Sequence, residues 1–181
     1  MASTQLANDI RGYGELPPER KLYLIAFLTA LSGILAVADS FLPKPIPFAK
    51  LGLANLVTVY LIAEKRYSLA FQTAFYRTIA AGFVLGTFLS YTYLLSLSSS
   101  LASVGMMALL SRAGEKRMSE AGISVWGSFA SAIAQGAVVG IFYGFDRGLL
   151  MMVSIFVLIG AATGFLIGAG VRHYRRAETV Q

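Results

Sequence analysis

Two ionisable side chains stand in apolar surroundings and invite a chemical reading. Arg77 lies in Thr73-Ala74-Phe75-Tyr76-Arg77-Thr78, well inside one long apolar run, and Asp39 lies near the end of another. Burying either charge costs ~2.5–3.5 kcal/mol on membrane-insertion scales, so such residues ordinarily mark a binding site or an internal pair. Two readings stay open. In one, Arg77 and Asp39 pair, or each meets a ligand in a cavity. In the other, Arg77 binds helix-end carbonyls and Asp39 caps an interface. A third constellation is Ser124, Ser128, Ser131 and Gln135, whose spacings of 4, 3 and 4 place all four on one helical face. The serines fit interhelical hydrogen bonding, and Gln135 is the better ligand candidate.

The composition says what surrounds these groups. Of 181 residues, 56% are apolar and 13% charged, with a mean hydropathy of +0.68. A soluble domain carries roughly 25% charged residues. A water-soluble globule, a disordered tail and a disulfide scaffold are therefore excluded, and the chain reads as an integral membrane protein. It has no Cys and a single His, His173. Thiolate chemistry, iron–sulfur clusters and Cys-ligated zinc fall away, and no metal ligands or catalytic residues are assigned.

Apolar runs occur at 22–42, 51–64, 69–94, 97–111, 121–143 and 149–171. A spanning helix needs about 20 such residues, so the second and fourth are short. The expected architecture is all-α, with one six-helix membrane domain over 21–172. A polar leader, 1–20, with room for a short surface helix precedes it, and a tail, 173–181, follows. With the N-terminus inside, one side collects Arg11, Arg20, Lys21, Lys65, Arg66, Arg112, Lys116, Arg117, Arg172, Arg175 and Arg176. The other side holds only Lys44, Lys50 and Arg147. That bias predicts both termini in the cytoplasm of a prokaryotic cell, with the protein in its inner membrane. The net charge of +6 is then topology, and nucleic acid is not an expected partner.

Small residues recur at helical spacing: Gly160, Gly164 and Gly168 in the sixth run, Gly82 and Gly86 in the third, Ala26 and Ala30 in the first. Such faces let helices approach closely, within a chain or between chains. The segment Pro43-Lys44-Pro45-Ile46-Pro47-Phe48-Ala49-Lys50 carries three prolines in five residues, which favours a stiff extended strap. It is a plain connector, or a lid whose lysines attract an anion.

The run DSFLPKPIPFAKLGLANLVTVYLIA, Asp39 to Ala63, resembles the signature of the Gx transporter family, also described as heptaprenyl diphosphate synthase component I. Looser similarity continues through Arg77 with Gly86-Thr87-Phe88, Ser96-Leu97-Ser98, and Ser124-Val125-Trp126-Gly127 to Gln135. The likeness covers about residues 22–170. This family is similar in hydropathy and helix number to the substrate-binding S components of energy-coupling factor transporters. The resemblance implies an S-component bundle with a ligand pocket toward the outer face. It also implies that Ala26 and Ala30 form the face docking on a transmembrane coupling subunit. Two positions depart from the family pattern. Ser131-Ala132 stands where a His-Asn pair is common, and Ser99 and Ser100 where glycines often follow the fourth-run serines.

The leading expectation is a non-catalytic binding subunit that captures a small vitamin-like, flavin-related or isoprenoid-related molecule and works with a separate ATPase module. Asp39, Lys50, Asn55, Arg77 and Gln135 would supply polar contacts, with Tyr76 and Trp126 as stacking walls. The alternative is a membrane subunit of an electron-transfer complex, holding a flavin or quinone or anchoring a flavin-carrying extracytoplasmic protein. A third reading is a passive partner of a prenyl diphosphate synthase. The chain has no DDxxD motif to hold magnesium and diphosphate, and no P-loop.

Overall fold

The computed structural model describes residues 2–41, 52–114 and 118–178. These fold as seven helices: α1 (Ala2–Arg11), α2 (Pro18–Phe41), α3 (Asn55–Ala63), α4 (Tyr67–Val84), α5 (Tyr91–Ala113), α6 (Glu120–Tyr143) and α7 (Arg147–Glu178). The all-α expectation holds for the described residues, and α1 is the short helix foreseen in the leader. Four helices, α2, α5, α6 and the Arg147–Arg175 part of α7, are long and apolar enough to cross a membrane.

Two expected boundaries are corrected. The apolar run 69–94 is a helix, a turn and the start of the next helix. Gly86 and Leu89 take positive φ values of 65° and 61°, which a continuing helix cannot accommodate. Ser90 then caps α5, its Oγ accepting from the Tyr93 N–H. Gly82 and Gly86 therefore do not share a helix face. Only Gly82 packs closely, against the Tyr93 ring. The fourth run, 97–111, extends to the full 23 residues of α5. Its serines depress hydropathy, yet Ser99, Ser100 and Ser103 are buried between helices.

The remaining short run is short in the structure too. α3 has 9 residues, about 13.5 Å at 1.5 Å per residue. That is roughly half of the ~30 Å hydrocarbon thickness of a bilayer. It packs against α2, α4, α5, α6 and α7, which makes it the centre of the bundle. Val57, Val59, Leu61 and Ile62 are buried, and with Leu69, Val104 and Met107 they form the core.

One end of the bundle is tied by ions. Glu64, immediately after α3, accepts from Arg11 Nε at 3.0 Å and from Arg175 Nε at 2.9 Å. Arg175 also reaches Glu120, the first residue of α6, at 2.7 Å. The Glu64 side chain is only 7% exposed, so its charge depends on these partners. α1 is held here as well, through buried Ala7 and Ile10.

The glycines of α7 face α6. A Cβ built on Gly164 would lie 2.6 Å from Ser128 Oγ, and one on Gly168 only 2.4 Å from the Ala121 Cα. Gly170, one position off this face, has open space. Two outcomes follow from these contacts. Gly168→Ala lowers stability by about 1–3 kcal/mol through backbone overpacking, whereas Gly170→Ala is neutral or stabilising by up to about 1 kcal/mol; thermal unfolding in detergent measures both. Glu64→Gln takes the carboxylate out of both ion pairs and destabilises by about 2 kcal/mol, and protease cleavage between α1 and α2 rises with it.

Candidate functional site

Because α3 reaches only halfway, the other half of the bundle encloses a cavity of about 300 Å³. Its walls come from the last turns of α2 and α4, the first half of α5, and the middles of α6 and α7. The start of α3, Ala54 and Asn55, forms part of its lining. The volume is at the small end of the range for small-molecule pockets.

Arg77 projects into this floor and is 5% exposed. Nη1 donates to the Ala54 carbonyl, and Nη2 donates to Asn55 Oδ1 and to Ser100 Oγ, both at 3.0 Å. The guanidinium therefore stitches α4 to the beginning of α3 and to α5. All three acceptors are neutral. Arg77 thus binds a carbonyl at a helix end, and it also lines the cavity. Asp39, also 5% exposed, lies on the same cavity wall in the last turn of α2.

The α6 stripe faces this space. Ser124, Ser128, Ser131 and Gln135 all line it. Gln135 Nε2 donates to Ser131 Oγ at 3.3 Å, and Ser128 Oγ to the Ser124 carbonyl at 3.1 Å. Of the residues singled out in the sequence, the fold brings together Asp39, Asn55, Arg77 and Gln135. Tyr76 and Trp126 lie elsewhere. They are 48% and 46% exposed, on the outer surface, with Phe75 and Phe129 as their ring neighbours. Lys50, and the strap that carries it, lie outside the described residues. Ala26 and Ala30 are exposed on α2 beside Leu22, Tyr23 and Phe27.

The aromatic side chains that do line the cavity are Tyr93 and Phe156. Tyr93 is 7% exposed and held by Gly82 and by the Phe88 ring, 5.1 Å away. The Gly82–Tyr93 contact was out of reach while 69–94 read as one helix. Thr78, Ser99 and Ser100 also line the cavity, although serine and threonine in an apolar run look like ordinary packing residues.

A helical bundle with an internal, ligand-sized cavity and several membrane-length apolar helices fits a multi-pass membrane protein. Within that class, the chain belongs to the family described as heptaprenyl diphosphate synthase component I, whose model matches residues 28–174. The match begins inside α2 and ends in α7, so it contains the entire cavity. No curated protein and no solved structure matches the chain.

The three acceptors of Arg77 set a graded expectation. Ser100→Ala removes one hydrogen bond to a charged donor and costs about 1.5 kcal/mol. Arg77→Lys costs more, about 3 kcal/mol, because one ammonium cannot span three oxygens on two helices. Unfolding midpoints of the variants in one detergent give the order.

Proposed function

We propose that this chain is a membrane-embedded binding subunit of the S-component type. All six helices α2–α7 sit in the bilayer, over about residues 21–172, with the Glu64–Arg175 end and both termini in the cytoplasm. The cavity then opens toward the outside of the cell. A small molecule enters there, rests over the start of α3, and passes inward when a coupling subunit and an ATPase module act on the bundle. The observation that supports this best is the cavity itself, which sits in the half of the bundle that α3 leaves unfilled, with Arg77, Asn55 and Gln135 on its walls.

Aromatic residues fit the proposed depth. Tyr91 packs edge-on against Phe142 and Tyr143 at the cavity end, and Tyr60 against Tyr174 at the other. Such rings are enriched at the two membrane–water interfaces. The exposed small-residue face of Ala26 and Ala30 gives a coupling subunit a place to approach α2 closely. A non-catalytic role agrees with Glu64 and Glu120 being engaged by arginines, far from the cavity.

Purified full-length protein, titrated with flavins, quinone precursors and prenyl phosphates, should bind one class saturably, and Gln135→Leu should weaken that binding about tenfold or more by leaving a polar group unpaired. No saturable binding of any class would sink the proposal. A membrane-impermeant thiol reagent reaching a cysteine placed at Thr87 only from outside the cell would support the orientation, and labelling from the cytoplasm alone would reverse it.

A further inference from the structure

Both charges on the cavity wall are already engaged within the protein. Arg77 gives its hydrogen bonds to Ala54, Asn55 and Ser100, and Asp39 has an interaction of its own. The two carry opposite signs, so the lining among the described residues has no net charge. Most of that lining is apolar, with Ala81, Leu85, Tyr93, Phe156 and Ile159 among its residues. An ionic ligand would leave water for this space without meeting a free counter-charge, and a buried ion in that position is costly.

The hydroxyls are committed in a similar way. Thr78, Ser99, Ser128 and Thr163 line the cavity, and each donates to a carbonyl of its own helix. The Asn55 side-chain oxygen is taken by Arg77. Gln135 differs. Its Nε2 donates to Ser131 Oγ at 3.3 Å, which tethers the carboxamide to α6. A carboxamide has two N–H donors and an acceptor oxygen. Among the described residues, the second N–H and Oε1 of Gln135 make no hydrogen bond. One donor and one acceptor on a single planar group are the complement of another amide. Phe156 packs against Ala132, three residues before Gln135 on α6, so an apolar wall stands about one helical turn from that group.

Resting on the binding-subunit reading above, we propose that the ligand is uncharged: a compact, largely apolar molecule with an amide-type edge, such as a carboxamide, lactam or imide. The edge pairs with the Gln135 side chain, and the apolar body lies along Phe156. Arg77 and Asp39 shape the cavity and are not the ligand's contacts. An acid or an amidine of the same shape is rejected twice. It brings a charge that nothing free in the cavity balances, and it offers Gln135 acceptors alone or donors alone where one of each is needed.

The test uses the full chain in lipid nanodiscs and three probes of one shape: naphthalene-2-carboxamide, naphthalene-2-carboxylate and naphthalene-2-carboxamidinium. Calorimetry should show the carboxamide binding at least about tenfold more tightly than either ion. Gln135→Met keeps the length of the side chain and removes its amide; it should weaken the carboxamide about tenfold and leave both ions nearly unchanged. The probe order in the unmodified protein decides the question of charge without any variant. Tighter binding of either ion, equal binding of all three, or a carboxamide indifferent to Gln135→Met would overturn the inference. Where a molecule of the earlier titration saturates and none of these probes does, that molecule takes their place. An uncharged ligand weakened by Gln135→Met upholds the inference, whereas a charged ligand, or an uncharged one indifferent to the variant, overturns it. Saturable binding in any of these failures leaves the binding-subunit reading standing. Failure of every molecule in both titrations would remove both.

Discussion

The start of α3 is the point on which the bundle depends: its first N–H groups, of Asn55 and Leu56, donate to the Gly52 and Leu53 carbonyls, and its oxygens are met by Arg77. The Arg77 guanidinium takes the Ala54 carbonyl, the Asn55 side chain and the Ser100 hydroxyl together. Each buried polar group left unpaired costs about 1–3 kcal/mol, while inserting the arginine costs ~2.5–3.5 kcal/mol before any pairing. Three charge-assisted bonds therefore offset the charge. The truncated helix then leaves half of the bundle's interior for a cavity. An apolar residue at 77 would leave the Ala54 and Asn55 oxygens without this donor in an apolar setting.

The opposite end of α3 is fixed by a different arginine arrangement. Glu64 stands one residue past the helix and meets Arg11 of α1 and Arg175 of α7. A nine-residue helix has little packing surface of its own, so anchoring at both ends compensates for its length. Buried hydroxyls without hydrogen-bond partners among the described residues occur at Ser32, Thr58, Thr73 and Ser103. Each lies one helical turn inward from a cavity-lining residue, namely Ala36, Ala54, Arg77 and Ser99. The polarity of the cavity thus tapers into the core instead of stopping at an apolar wall. Threonine, β-branched like valine, keeps the packing close where that taper ends.

What the sequence disclosed, and what it hid, follows from how each feature is encoded. Membrane character is summed over many residues, so composition and hydropathy carried it. Arg77, Asp39 and the α6 stripe were legible because each violates its surroundings. The half-length of α3 was visible as a short run, but its meaning was not: only packing reveals that the missing half is a cavity. The turn between α4 and α5 was hidden because Phe88 and Leu89 are as apolar as a helix interior, and hydropathy does not register the positive φ of Gly86. Tyr76 and Trp126 misled for a related reason. Large aromatic residues beside a polar group look like pocket walls, yet helical periodicity turns Tyr76 about 100° from Arg77, and outward.

The serines of α6 connect packing to the site. The Gly160 and Gly164 positions of α7 are open enough for Ser128 and the Ser124 carbonyl to press against the bare backbone. Any larger residue there would push α6 away and change the cavity wall that these serines form. The glycine face, which in isolation could equally have served a second chain, is thereby committed to setting the distance between two helices that both line the cavity. Hydroxyls on that seam are small enough for the close approach and polar enough for the space beside it. A seam of alanines would pack as well but leave the cavity without hydrogen-bonding groups. A seam of larger polar residues would restore those groups and lose the contact. Serine at 124 and 128 satisfies both demands, which is why the polar face of α6 and the glycine face of α7 have to be read as one feature.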